Sequence, residues 1–316
     1  LCGTLHRVTE SFEAYREELT LPPLDTEAFD AWLRQDCRTP EDAAPKYAFV
    51  TRYVFSCLTD ADSLDTEAFD QGAGREPLTA DFQACLDRVN AKLNNFTCVT
   101  PLQKARARLQ EQAFAQSDRE ADIYMLNMPT GSGKTLCSLK FALERALRGH
   151  KKRLIFIIPY NSIINQTADT FEKILGPAAA ILRHQSTWIY EDDQTLNEEE
   201  RVARLKATEN WDAPIVITTA VQFFESLYGD RRSRLRKLHN MQDALLIFDE
   251  AHLLPRAFLV PCLKGIALLT RVLNSEAILL TATMPDYRNL FERFGIPGLS
   301  MVDLVPDRSS FGAFQK

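Results

Sequence analysis

The six residues Ile123–Met128 (IYMLNM), all but one apolar, run straight into Pro129–Thr135 (PTGSGKT), and a helical pattern follows at once. This junction limits the possible folds more than any other stretch. A short, nearly continuous apolar run bounded by turn residues is a strand buried on both faces. The small residues after it let successive backbone N–H groups curl around an anion, and the helix that follows adds its positive N-terminal end. Such a loop needs a strand to launch it and a helix to receive it, and the strand–loop–helix context here is right. Pro129, Thr130, Gly131, Ser132 and Gly133 form the cradle. Lys134 is placed to reach the β- and γ-phosphates of ATP, and the Thr135 hydroxyl to ligate Mg²⁺. The strict pattern of this loop wants Gly at position 128, where the chain has Met128.

The texture beyond residue 120 agrees. Apolar runs predict strands at Ile123–Met128, Arg153–Pro159, Ile215–Thr219, Ala244–Asp249 and Ala277–Thr281. Periods of three and four residues predict helices at Lys134–Leu147, Ser162–Leu175, Val221–Tyr228, Arg256–Leu273 and Pro285–Phe294. Buried strands alternating with helices make a parallel sheet covered on both faces. In such sheets, ligands bind at the carboxyl ends of the strands.

Two more strand ends carry chemistry. LLIFDEAH (Leu245–His252) delivers two acids at its carboxyl end: Asp249 to hold the Mg²⁺ and Glu250 to orient and deprotonate an attacking water. The 115-residue spacing from Lys134 to Asp249 suits three intervening strands of one nucleotide-binding domain. LLTATMP (Leu279–Pro285) follows 32 residues after Asp249. Hydroxyls of Thr281 and Thr283 can bond the neighbouring acidic motif and link nucleotide state to movement.

Composition sets the frame. The chain has 316 residues, 45% hydrophobic and 25% charged, which excludes collagenous, disulfide-scaffold and largely disordered chains. No apolar run approaches the length of a membrane-spanning helix. The seven Cys are scattered without a C-x-x-C pair, which predicts reduced thiols in a cytoplasmic protein and no zinc site. Net charge is −6 but uneven: residues 1–95 hold 9 Lys/Arg against 18 Asp/Glu, and the rest is mildly basic. Any nucleic-acid contact is therefore local. The acidic front reads as helical, in FEAYREEL, TEAFDAWLRQ, KYAFVTRYVFSCLTDADSL and LTADFQACLDRVNAKLNNF. The string LDTEAFD occurs at 24–30 and 64–70, which reads as coincidence or as two similar helix starts.

The order PTGSGKT, DEAH, TAT resembles a superfamily-two helicase, which implies a RecA-like domain. IIPYNSIINQ (Ile157–Gln166) then takes the place of motif Ia and VITTAVQFFESL (Val216–Leu227) that of motif Ib, which in this superfamily line the strand-tracking groove. His252 matches the histidine that senses the γ-phosphate. An adenine-recognising glutamine should precede the phosphate loop, with Gln103 and Gln112 as candidates. LNMPTGSGKTLCSLKFAL, IIPYNSIINQTADTF, RHQST (Arg183–Thr187), TTAVQFFESLYGDRRSRLRKLHN and LIFDEAHLLP resemble, more specifically, the CRISPR-associated type I nuclease-helicase family, over roughly residues 45 to 305. That family couples ATP-dependent translocation on single-stranded DNA to metal-dependent DNA degradation in antiviral defence, beside a Cascade-type crRNA-guided surveillance complex.

The resemblance reaches the front as well. Phe55–Glu67 is similar to the last metal-ligand motif of the family's HD-type nuclease, with Asp62 at the ligand position for a divalent transition metal. The only His upstream is His6, with no Asp after it, so an intact nuclease site is not expected. Without the resemblance, Asp60, Asp62 and Asp65 read as solvated acids at a helix end. The expected organisation is a helical HD remnant over 1–95, a first RecA-like domain over 96–305, and a linker over 306–316 towards a second RecA-like domain that the chain lacks. The basic run Gly229–Asn240, with Arg231, Arg232, Arg234, Arg236 and Lys237, fits either phosphate contact beside motif Ib or a solvated helix-end cluster. Trp188 and Trp211 read as packing or loop anchors. Rival readings are a superfamily-two RNA or DNA helicase without nuclease and a non-catalytic nucleotide-binding or docking module.

Overall fold

The computed structural model describes residues 25–35, 37, 40–185, 198–283, 285–294 and 297–314. His6, Ser186, Thr187, Trp188 and Met284 lie outside them, as do Leu24 of the first LDTEAFD and the FEAYREEL helix. Two compact units are present, Leu1–Tyr47 and Ala48–Lys316. The described helices are α1 (Thr26–Arg34), α2 (Pro40–Gln71), α3 (Phe82–Asn94), α4 (Pro101–Phe114), α5 (Lys134–Arg148), α6 (Asn161–Leu175), α7 (Glu198–Asn210), α8 (Ala220–Tyr228), α9 (Arg232–Leu235), α10 (Leu259–Val272) and α11 (Tyr287–Phe294). The strands are β1 (Ile123–Asn127), β2 (Arg153–Ile158), β3 (Ile181–His184), β4 (Ile215–Thr219), β5 (Ala244–Phe248), β6 (Glu276–Thr281) and β7 (Met301–Asp303).

The seven strands form one sheet in the order β3-β4-β2-β5-β6-β1-β7, parallel throughout. Among the described residues, three strands, β2, β3 and β4, lie along the chain between the phosphate loop and β5, the strand that ends at the acidic motif. Alternation along each strand divides the core in two. Tyr124, Leu126, Leu154, Phe156, Ile247 and Ile278 face a cluster that α3, α4, α5 and α6 cover. Ile123, Met125, Ile155, Leu246, Phe248 and Leu279 face the opposite cluster, built with side chains of α2, α8, α10 and α11. A sheet buried on both faces has no polar side, which is why its strands read as continuous apolar runs.

Local rules set the ends of the helices. Asp25 caps α1, accepting from the Ala28 N–H at 2.9 Å. Thr100 and Gln103 form a reciprocal capping box at the start of α4, with Pro101 in its first turn. The helix expected over Arg256–Leu273 is instead a 3₁₀ turn at Arg256–Phe258 followed by α10 from Leu259. Pro261 has no N–H to give and costs least in a first turn, which favours a helix start just before it. Asp286 accepts from the Asn289 N–H at 3.2 Å, so the last helix begins at Tyr287 rather than Pro285. The second LDTEAFD is no helix start either: it lies inside α2.

Candidate nucleotide-binding site

Sheet order explains how motifs far apart in sequence come together. β5, β6 and β1 are consecutive neighbours and all parallel, so their carboxyl ends share one edge. The acidic motif leaves β5, the Thr-Ala-Thr element leaves β6, and the phosphate loop leaves β1. Asn127 and Thr281 stand in register, and the Met128 N–H donates to the Thr281 carbonyl at 3.1 Å. Met128 is fully buried in the core and continues the strand's alternation. The position that a strict pattern reserves for Gly is thus spent here on packing, and the loop's curl begins after it.

The curl itself rests on two glycines in the left-handed region, Gly131 (φ 78°) and Gly133 (φ 86°). Ser132 is buried and turns inward, its hydroxyl donating to the Pro129 carbonyl at 2.6 Å. Thr130, Gly131 and Thr135 are exposed at the mouth. Across β6, the Lys134 Nζ lies 2.9 Å from Glu250 Oε1. The other oxygen of Glu250 is buried without a hydrogen-bond partner. Glu250 is also in the left-handed region (φ 46°), rare for a residue with a side chain, and its N–H is drawn to Asp249 Oδ1 at 3.0 Å. Burial, and then the neighbouring Glu250 charge, push the Asp249 carboxyl above the ordinary carboxylate range.

Thr281 links the acidic turn to the next loop. Its hydroxyl donates to the Thr283 carbonyl at 2.9 Å and accepts from the Thr283 N–H at 3.0 Å. Having spent its one proton there, it can only accept from His252 Nδ1 at 2.9 Å, which puts the imidazole proton on that nitrogen.

These residues fit a magnesium nucleotide. The cradle is curled and open, the loop lysine is paired with a carboxylate that a phosphate can replace, and two acids converge, with His252 Nδ1 3.4 Å from the second oxygen of Glu250. Asp62, expected only as the remnant of a metal-ligand motif, belongs to no such ligand group among the described residues. Asp62 is exposed and ion-paired with Arg232 at 2.6 Å, and no group of three or more His, Cys, Asp or Glu among the described residues is placed to hold a metal.

Three expectations about neighbouring residues change. Asp60 is buried in the interior of α2, not solvated at a helix end, and accepts from Arg236 Nε at 2.7 Å and from the Asn210 amide at 3.0 Å. The basic run is largely neutralised within the protein: Arg232 pairs with Asp62, Arg234 with Glu225, and Arg236 with Asp60 and Glu209. Lys237 is buried, and that burial lowers its pKa to about 8. Arg231 stays exposed. Neither candidate glutamine side chain bonds the loop: Gln103 caps α4, and Gln112 bonds the backbone of Asp307. The side chains that α4 does bring to the loop are Arg106 and Gln110, which sequence reasoning passed over. At the carboxyl ends of β2 and β4, two strands paired side by side, Tyr160 (56% exposed) and Val221 (64% exposed) present the motif Ia and Ib segments to solvent. Trp211 is fully buried beside Phe223, as a packing anchor. The described cysteines are unpaired, and no helix among the described residues is long and apolar enough to cross a membrane.

Comparison with known proteins places the site in context. The family model for DEAD/DEAH box helicases matches residues 107–290. The chain is 29% identical over 311 residues to a CRISPR-associated nuclease/helicase Cas3 of Haloferax volcanii. That match covers 90% of this chain and 31% of the relative, so the chain spans about a third of the relative's length. Among solved structures it is similar to T. fusca Cas3 with AMPPNP, at a TM-score of 0.50 and 16% identity, over 66% of this chain and 23% of the other. That likeness is one of fold: a RecA-like parallel sheet.

Proposed function

The chain belongs to the DEAD/DEAH box helicase family, and on that footing we propose that its phosphate loop and acidic strand end bind and hydrolyse ATP to drive movement along single-stranded DNA. The observation that carries this is the ion pair of Lys134 with Glu250, 2.9 Å apart, which unites the two motifs across β6. Backbone N–H groups of the curled loop and the start of α5 receive the phosphates. Lys134 leaves Glu250 for the β- and γ-phosphate oxygens. Thr135 and Asp249 would hold Mg²⁺, which neutralises charge on those oxygens. Glu250, freed of its lysine, orients water and takes its proton. His252, tied to Thr281, carries the state of the acidic turn to the Thr281–Thr283 loop, and from there to whatever moves with it.

DNA is assigned to the same edge of the sheet, over the exposed Tyr160 and Val221 segments beside the nucleotide site. The neutralised basic run argues against a phosphate track there. For the longer protein to which the Haloferax volcanii likeness points, we propose coupling of this motor to metal-dependent DNA degradation, in CRISPR antiviral defence beside a Cascade-type complex. The test is ATPase and nucleotide binding with single-stranded DNA or RNA as activator. Lys134→Ala should abolish binding, and Glu250→Gln should bind but not turn over; normal turnover in either variant overturns the assignment. Stronger stimulation by RNA than by DNA would overturn the DNA reading. Binding without turnover in the unmodified chain would make it a nucleotide-binding module.

A further inference from the structure

The phosphate loop has a second neighbour besides the acidic strand end. Arg106 of α4 donates from Nη2 to the Gly131 carbonyl at 2.7 Å. One helical turn on, Gln110 closes over Gly133: a Cβ built on that glycine would stand 3.0 Å from Gln110 Nε2 and 3.6 Å from Arg106 Cδ. The two glycines that give the loop its curl are therefore the two that α4 touches. Arg106 Nε is buried without a hydrogen-bond partner, so that nitrogen forgoes hydration where the side chain sits against the loop.

The same helix is tied at its other end. The Gln112 side chain pairs reciprocally with the backbone of Asp307, donating to its carbonyl at 3.1 Å and accepting from its N–H at 2.9 Å. Asp307 in turn holds the turn at Ser309, accepting from its N–H and its hydroxyl, each at 2.9 Å. Phe311 and Phe314 pack on the apolar cluster that contains Leu109 and Ala113 of α4. Both sets of contacts are made by one helix, whose N-terminus is held by the Thr100–Gln103 capping box.

We propose that α4 is a latch between the segment 307–314 and the phosphate loop, with Arg106 as the positioning residue. With the segment seated, Gln112 holds α4 in place, Arg106 holds the Gly131 carbonyl, and the loop keeps the curl that receives phosphates. Drawing the segment away moves α4, releases Gly131 and lowers the population of the curled loop. Phosphate affinity then drops in proportion. This device rests on the reading of the loop as a phosphate site.

The test uses the full chain with Arg106→Ala, Arg106→Lys and Gln112→Ala, MgADP and magnesium pyrophosphate as probes, and amide hydrogen exchange over residues 130–134. Arg106→Ala should weaken both probes by the same factor, about tenfold for a lost charge-assisted hydrogen bond. It should also speed exchange in the loop without lowering the melting temperature enough to account for either. Arg106→Lys, which still reaches a carbonyl, should recover most of the affinity. Gln112→Ala, on a partly exposed residue remote from the loop, should weaken both probes equally and speed the same amides. Unchanged affinity and exchange in Arg106→Ala or in Gln112→Ala overturn the latch. Loss of MgADP affinity with pyrophosphate unchanged also overturns it, since Arg106 would then serve the nucleoside. An unmodified chain that binds neither probe overturns the phosphate-site reading instead, and the exchange rates still decide the latch.

Discussion

Lys134 and Glu250 hold each other at 2.9 Å, so each shields the other from a cost. An unpaired ammonium or carboxylate at this depth loses hydration that nothing replaces. The pair therefore competes with the phosphates for Lys134. Glu250→Gln removes that competitor and should tighten MgADP binding relative to the unmodified chain while ATP turnover falls by at least two orders of magnitude, as expected for loss of a general base; calorimetry beside a phosphate-release assay reads both. Gly133 is constrained twice, by φ 86° and by Gln110 3.0 Å from any added Cβ. Gly133→Ala meets a left-handed penalty of roughly 1–2 kcal/mol and a crowded neighbour. It should lower nucleotide affinity at least tenfold, and an unaltered affinity in the same titration would show that the curl is not needed.

At the scale of elements, ion pairs buried between helices and strands decide more than exposed ones. Arg145, near the end of α5, reaches both oxygens of Glu276 at the start of β6, at 3.1 and 2.8 Å, with both side chains buried. Removing the guanidinium leaves Lys151, 3.3 Å away, as the cation beside Glu276. Arg145→Ala should therefore cost about 3–5 kcal/mol in chemical denaturation. The α2 acids make the contrast within one helix. Asp60–Arg236 is buried, with 4% and 12% of the side chains exposed, whereas Asp62–Arg232 shows 64% and 63%. Asp60→Ala should destabilise by several times more than Asp62→Ala, whose cost should stay below about 1 kcal/mol. Further along α2, Glu67 is held by Arg75 Nε at 2.7 Å and by Lys206 at 2.7 Å, which brings its pKa down to about 2. Because the folded value lies below the unfolded one, this contribution is fully present above the ordinary Glu value of about 4.3 and is lost as pH falls through about 2. The stability difference between Glu67→Gln and the unmodified chain should therefore be steady at neutral pH and shrink between pH 4 and pH 2; a difference independent of pH would mean that Glu67 acts through packing alone.

Over the whole molecule, what could be read in the sequence followed from burial. β1, β2, β4, β5 and β6, whose residues are buried almost throughout, read as apolar runs, and so the parallel sheet and its three chemical strand ends were legible. β3 and β7 close the two edges with four and three residues, too short for a periodic signal, and β7 is only half-buried. α4 buries only Ala105, Leu109 and Ala113, and the surface of α7 carries mostly charge, so neither shows a broad apolar stripe. The Thr100-Pro-Leu-Gln103 cap was the available signal for α4, and with it for Arg106. Tertiary context was out of reach. The six described residues of the first copy, Asp25–Asp30, begin α1 with Asp25 as a cap, whereas forty residues on the same string runs unbroken through α2. The basic run likewise shows its partners only once α2 and α7 are folded against it.

Whether PTGSGKT and DEAH form one magnesium-nucleotide site is decided by titrating the chain with MgADP beside Lys134→Ala and Glu250→Gln. Binding should saturate at one site per chain, be lost in Lys134→Ala and be retained or tightened in Glu250→Gln. Binding that survives Lys134→Ala unchanged, or no saturable binding in the unmodified chain, would contradict such a site.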